Sequence, residues 1–257
     1  MDKNAFKKKR CITLYSVRYT NIFFISFVFF VIITIGSVLY KKLTAFNYQA
    51  DLDKTVLTMD GTKISLRDLG YYIAEVEAFT QQQAILYSPD DPLEYWNLYF
   101  SARDNSTFVS DYARETAISN CFCDIIYENE AIMCGLTLSE EDERAALTAA
   151  ENFYISFSDS QRAAVGIDMD LILSIQRRKL LASHYVTKLL HDDHDLAVRL
   201  EDMIADQAYL SDPVALLGGT GLYFRNNILP KHKSSYNRKI LRKLPLGRIT
   251  VNNPALK

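Results

Sequence analysis

The stretch from Ser106 to Glu143 constrains the fold more than any other part of this 257-residue chain. Its apolar residues recur at three- and four-residue steps, which is the spacing of one buried face of an α-helix. That face consists of Phe108, Val109, Tyr112, Ala113, Ala117, Cys121, Ile125 and Ile132. Ile118, Phe122 and Ile126 widen the face, so we expect neighbours to pack on more than one side of the helix. Gly135 ends it, because glycine adopts the left-handed conformation of a helix C-cap.

A hairpin and a second helix are predicted before this long helix. Asp60-Gly61 lies between two short β-prone segments, and this pair is a strong signal for a hairpin turn. Ser65 follows at the position of a helix N-cap. The buried stripe of the helix that Ser65 begins is predicted to be Leu69, Tyr72, Ile73, Val76 and Phe79.

Further helices are predicted after the long one. Either Thr137 with Glu140 or Ser139 with Asp142 forms a capping box that starts the next helix. Amphipathic helices are predicted over residues 139–155 and 168–191. The fold class is therefore mainly α.

The long helix, its glycine stop and the restart Leu136-Thr137-Leu138-Ser139-Glu140-Glu141 resemble the helical N-terminal region of the SurA/PrsA-type extracytoplasmic chaperones. Residues 59–66, Met-Asp-Gly-Thr-Lys-Ile-Ser-Leu, are similar to the short hairpin that leads into the first helix of that family. Residues 158–168 are similar to its linker into the last helix. The resemblance covers about residues 55–191 and implies a chaperone-like domain that binds unfolded exported polypeptides.

An uncharged, strongly apolar run extends from Thr20 to Tyr40, after a basic N-terminus. About twenty such residues are enough to cross a bilayer. A cleaved signal peptide is the alternative, but the run ends in Leu39-Tyr40-Lys41-Lys42 without the small residues of a cleavage site. We therefore predict an uncleaved signal-anchor. Because the cations precede the run, the N-terminus is predicted to be cytoplasmic and the remainder extracytoplasmic.

Charge divides the chain into three segments of alternating sign. Residues 1–42 carry eight Lys or Arg and one acid, and residues 43–212 carry a net charge of −18. Residues 213–257 carry nine Lys or Arg and no Asp or Glu. The counter-charge for this basic tail comes either from the acidic body of the protein itself or from an anionic lipid or cell-wall polymer. We expect binding to such a lipid or polymer, through an amphipathic surface segment that includes Ile240, Leu241 and Leu244. A nucleic-acid partner is not expected.

Residues 93–100 are rich in aromatic side chains, among them Tyr95, Trp96 and Tyr99. One interpretation is a short helix packed on the bundle. The other is an exposed aromatic surface that binds unfolded clients, and on that interpretation these three residues are candidate substrate-binding residues.

No metal or other cofactor is predicted from the cysteine and histidine pattern. Cys121 and Cys123 point away from each other on a helix and Cys134 lies about three turns further on, so we expect buried free thiols. His184, His191 and His194 lie among acidic residues that we interpret as a solvated helix end.

Residues 211–224, from Ser211-Asp212 to Gly218-Gly219-Thr220-Gly221-Leu222-Tyr223-Phe224, resemble the central part of a parvulin-type peptidyl-prolyl isomerase. The resemblance implies a catalytic-region acid at Asp212, an apolar wall of the proline pocket at Leu229 and a core support at Phe224. The first and last parvulin strands, each with its histidine, are not recognisable. We therefore expect a small, incomplete α+β tail without isomerase activity.

The resulting prediction is a bacterial, single-pass, membrane-anchored chaperone-like protein of the extracytoplasmic side. The alternatives are an active parvulin-type isomerase and a structural or adaptor membrane protein that binds no client. The predicted segments are a cytoplasmic N-terminus 1–19, a signal-anchor 20–40, a spacer 41–54, a helical domain 55–191 and a basic tail 192–257.

Overall fold

A computed structural model describes residues 26–35, 37, 48–102, 105–205 and 212–256. The chain divides into two units, Met1–Phe46 and Asn47–Lys257. In the first unit, residues 26–35 and 37 are helical, and the rest of the predicted anchor 20–40 lies outside the described residues. Among the described helices, none combines the length and the apolar character that a membrane crossing needs.

The second unit is mainly helical, which confirms the predicted mainly α class. Its helices are α1 (Leu66–Tyr87), α2 (Pro92–Trp96), α3 (Val109–Met133), α4 (Glu140–Ser156), α5 (Asp159–Val165), α6 (Met169–Asp192), α7 (His194–Ala205), α8 (Pro213–Leu217) and α9 (Arg238–Leu241). Its strands are β1 (Thr55–Met59), β2 (Thr62–Ser65), β3 (Tyr99–Ala102), β4 (Asn105–Phe108) and β5 (Ser234–Tyr236).

Local sequence signals set the ends of the main helices. Ser65 caps α1 and Ser139 caps α4, each in a reciprocal capping box with the Asp three residues on. Of the two boxes predicted for α4, Ser139 with Asp142 is the one that forms. Gly135 has a φ of 73°, as the predicted left-handed stop requires. The helix ends before Gly135 as predicted, but it begins at Val109, one residue after the first residue of the predicted face, because residues 105–108 form β4.

The core lies where α3 packs between α1 and α6, with α4 on the outer side of α6. The buried face of α3 includes Ala113, Ala117, Cys121, Phe122, Ile125 and Ile126. Cys121 and Cys123 are buried free thiols, as predicted. Cys134 is free but exposed, contrary to the prediction, because it lies beyond the last turn of α3.

The C-terminal strand β5 pairs with β1 near the start of the unit, in the sheet order β2-β1-β5. Both pairings are antiparallel, and Leu57 lies opposite Tyr236. The hairpin turn also holds this segment: Asp60 accepts hydrogen bonds from the Lys233 amide (2.8 Å) and pairs with His232 Nδ1 (2.6 Å). In the described part of the tail, 192–205 and 212–256, β5 is the one strand.

The last residues of the chain are bound to a buried carboxyl on α1. Glu77 is fully buried and accepts hydrogen bonds from the amides of Gly247 (2.6 Å), Ile249 (3.2 Å) and Thr250 (2.6 Å) and from the Thr250 hydroxyl (2.6 Å). Burial raises the pKa of Glu77, and these hydrogen bonds oppose the rise. Gly247 has a φ of 85° and lies against the Trp96 ring. Residues 247–250 therefore complete the core around α1.

Candidate functional site

An apolar groove of about 640 Å³ opens between α1, the α2–β3 segment and the start of α3. Its first wall is the outer face of α1, with Val76 and Phe79. Phe79 is 66% exposed, although the helical stripe predicted it to be buried. Phe79 is exposed because this end of the apolar stripe borders the groove and not a packed helix.

The second wall comes from α2 and β3. Asp91 caps α2, which ends after one turn, and the Leu98 carbonyl accepts the Val109 amide (3.0 Å), so the ribbon β3–β4 is held at the start of α3. Tyr95, Leu98 and Phe100 consequently face the groove.

The floor is the first part of α3, with one residue from the C-terminal segment. The α3 residues are Val109, Tyr112, Ala113, Thr116 and Asn120. Thr220 closes one end of the groove. The Ser119 hydroxyl donates to the Gly219 carbonyl (2.5 Å), so the glycine-rich segment is fixed to α3 at this point.

A second cavity of about 330 Å³ adjoins the groove, because both are lined by Tyr112, Thr116 and Thr220. Its remaining lining residues are Glu115, Ile118, Ser119, Phe122, Arg225, Leu229 and Tyr236. The two cavities lie side by side along α3: apart from Glu75 the groove has an uncharged lining, whereas Glu115 and Arg225 line the second cavity.

The groove can bury apolar side chains of a bound polypeptide. Val76, Phe79, Tyr95, Leu98, Phe100 and Val109 supply the apolar surface, and amide and hydroxyl groups of Gln83, Thr80 and Asn120 stand at its border. Apolar walls with a few polar groups are typical of binding sites. Full burial of one large apolar side chain contributes about 1.5–3 kcal/mol.

The three candidate aromatic residues of 93–100 lie in different environments in the structure. Tyr95 lines the groove. Trp96 is 1% exposed and its Nε1–H donates to Gln81 Oε1 (2.9 Å), so it belongs to the core and is not available to a client. Tyr99 is exposed and packs edge-on against Phe108 (centroids 5.1 Å apart), outside the groove lining. The segment is thus a short helix packed on the core that also places Tyr95 in the groove lining.

The tail residues of the predicted proline pocket do not come together. Leu229 lines the second cavity, whereas Asp212 is exposed and caps α8 by accepting the Val214 amide (2.9 Å). Phe224 is fully buried against Tyr127, which agrees with a supporting role in the core. Asp212 lines neither the groove nor the second cavity in which Leu229 lies.

The histidines near the end of α6 make local contacts with carboxylates. His184 Nε2 lies 3.3 Å from Asp142, and His191 Nδ1 lies 2.9 Å from Asp192. Within the described ranges, no group of three or more His, Cys, Asp or Glu could hold a metal ion.

A buried polar cluster lies between α1, α3 and α6. Burial raises the pKa of Asp124 on α3 to about 6, although the positive charge of Lys179 opposes this rise. A hydrogen bond from the Tyr72 hydroxyl also opposes the rise in the pKa of Asp124. Lys179 pairs with Glu75 (2.5 Å), so the cluster links all three helices.

Comparison of the chain with protein-family models, with curated proteins and with solved structures finds no match in any of the three. The resemblance to SurA/PrsA-type chaperones therefore rests on the quoted motifs alone, and the function is inferred from the groove.

Proposed function

We propose that this protein is a membrane-anchored, chaperone-like protein that binds apolar segments of unfolded exported polypeptides in the groove along α3. Residues 20–40 anchor it, and the unit 47–257 acts on the extracytoplasmic side. Isomerase activity is not part of the proposal, since Asp212 lines neither the groove nor the second cavity in which Leu229 lies.

The observation that carries the proposal is the exposure of apolar groups around an open cavity. Phe79 is 66% exposed on α1, with Tyr95 and Phe100 on the facing wall. Exposed apolar surface costs solubility, and its retention at one concave place is typical of a binding site. Two or three client side chains would fit a volume of about 640 Å³. Their burial gives about 3–9 kcal/mol before ordering costs, so we expect weak, reversible binding.

Suppression of aggregation tests the groove. A chemically denatured protein is diluted into buffer with residues 47–257, and light scattering is followed. We expect the parent to suppress scattering and the double variant Phe79→Ser, Tyr95→Ser to lose most of this effect. The matched control is Met133→Ser, Ile155→Ser, since those side chains are 80% and 77% exposed but lie outside the groove.

The outcomes separate a chaperone from an adaptor. Suppression lost only in the groove variant supports the proposal. Equal activity of the parent and both variants would assign the effect to general surface properties, and a parent without suppression would favour a structural or adaptor protein.

The proposed topology has its own test. Protease added to intact cells should digest the region beyond Ala50, because the cations precede the apolar run. Protection of that region, or release of a soluble form shortened by about fifty residues, would contradict the anchored, outward-facing arrangement.

A further inference from the structure

The C-terminal segment presents a row of exposed cations without an ion pair to any carboxylate in the part of the chain that the structure describes. Arg238, Lys239, Arg242 and Lys243 are all exposed. Arg242 lies one turn after Arg238, since its amide donates to the Arg238 carbonyl (3.2 Å). Side chains four residues apart on a helical turn stand about 5–6 Å from each other. The four cations therefore form one compact patch, which we term the cationic patch.

The apolar side of the same turn is already used by the core. Ile240, Leu241 and Leu244 are 8%, 5% and 2% exposed. The predicted amphipathic surface segment is wrong in this respect, because these three side chains are not free to enter a membrane. The segment is packed into the fold, and only its four cationic side chains are accessible to a partner.

Ion pairing differs sharply between the two parts of the unit. Eight of the eleven described cations between residues 48 and 205 form ion pairs with Asp or Glu, the exceptions being Lys63, Arg144 and Arg199. The cationic patch has no ion pair with any carboxylate in the described ranges, although 43–212 carries a net charge of −18. Like charges one helical turn apart repel each other, so an external anion would stabilise the patch.

We propose that the cationic patch binds the anionic headgroups of a phospholipid bilayer by electrostatic attraction without insertion. Repeated phosphates at a membrane surface complement four cations held on one rigid turn. Headgroups are favoured over a soluble polymer because residues 41–47 would connect the predicted anchor to the unit, and seven residues reach at most about 25 Å. The preference for headgroups rests on the proposed anchor, whereas binding by the cationic patch does not depend on client binding in the groove.

Vesicle co-sedimentation tests the proposal with residues 47–257, which form a compact unit without the first 46 residues. The probes are vesicles of phosphatidylglycerol with phosphatidylcholine, and vesicles of phosphatidylcholine alone. We expect binding to the anionic vesicles only, weakened as salt is raised, because exposed charges are screened. Each cation near such a surface contributes about fivefold, so replacing all four with glutamine should weaken binding at least about a hundredfold.

The matched control replaces Lys54, Arg144, Lys188 and Arg199 with glutamine, which changes the net charge equally but lies outside the patch. Thermal unfolding of both variants checks that each is folded. Loss of binding in the patch variant alone supports the proposal. Equal loss in both variants, unchanged binding in the patch variant, or binding to soluble poly(glycerol phosphate) but not to vesicles would overturn it.

Discussion

The buried carboxyl of Asp124 destabilises the folded unit at neutral pH, and its replacement with asparagine should make the unit more stable. Burial between α1, α3 and α6 raises the pKa of Asp124 from 3.8 to about 6. A raised pKa means that the folded state holds the proton more tightly than the unfolded chain. The stability that this proton confers is present below about pH 4 and is lost as the pH rises to about 6.

The magnitude follows from the size of the pKa change. At about 1.4 kcal/mol per pKa unit, a rise from 3.8 to about 6 corresponds to about 3 kcal/mol. Asparagine has the shape of the protonated carboxyl and carries no charge at any pH. The variant Asp124→Asn should therefore match the parent near pH 4 and exceed its unfolding free energy by about 3 kcal/mol above pH 7. For a unit of this size that is a rise in Tm of about 6–12 °C.

Urea unfolding of the parent and the variant across about pH 4–8 measures this difference. Other titrating groups cancel when the two curves are subtracted, and Asp90→Asn, at an exposed turn before α2, is the matched control. A difference that does not change with pH would refute the reasoning, as would a variant less stable than the parent at neutral pH. Either result would mean that the carboxylate is stabilised by its neighbours more than it is penalised by burial.

Three further substitutions test the packing of the unit, each by urea unfolding. Gly247→Ala should cost at least about 2 kcal/mol, because a β-carbon there would overlap the Trp96 ring and the φ of 85° disfavours a side chain. Gly135→Val should cost only about 1–2 kcal/mol, since the left-handed backbone is strained but the surrounding space is open, and Gly135→Asn should be tolerated better. Glu77→Gln should cost about 2–4 kcal/mol and expose the C-terminal segment to limited proteolysis, because an amide N–H₂ would face the Thr250 donors. If the parent and Glu77→Gln are digested equally, the role of Glu77 in holding the C-terminal segment is contradicted. If either Gly247→Ala or Gly135→Val leaves the urea unfolding curve unchanged, the strain described at that glycine is contradicted.

Features that depend on a few neighbouring residues could be predicted from the sequence. The Asp60-Gly61 turn, the N-caps at Ser65 and Ser139 and the stop at Gly135 all formed where they were expected. Each depends on the backbone preference of one residue or on a hydrogen bond spanning three residues. The mainly α class followed from the same local information.

Features that depend on distant partners could not be predicted in this way. Nothing local to Glu77 indicates that three amides from the end of the chain will surround its carboxyl. Helical periodicity predicted Phe79 to be buried, whereas it is 66% exposed and lines the groove. For Trp96 two interpretations were open, and the structure shows the packed one, with Gly247 against its ring. Helical spacing shows which face is apolar, but a partner element decides whether that face is covered.

The binding of residues 247–250 by Glu77 bears on how the protein is made. Ribosomes build a chain from its N-terminus, so α1 and Trp96 exist long before the amides that complete their surroundings. A carboxyl cannot be buried cheaply without its donors, so the native core closes only after residue 250 has been synthesised. A chain interrupted before Gly247 keeps Glu77 and Trp96 accessible and is open to degradation. The protection of α1 from proteases therefore depends on a segment that lies 170 residues further along the chain.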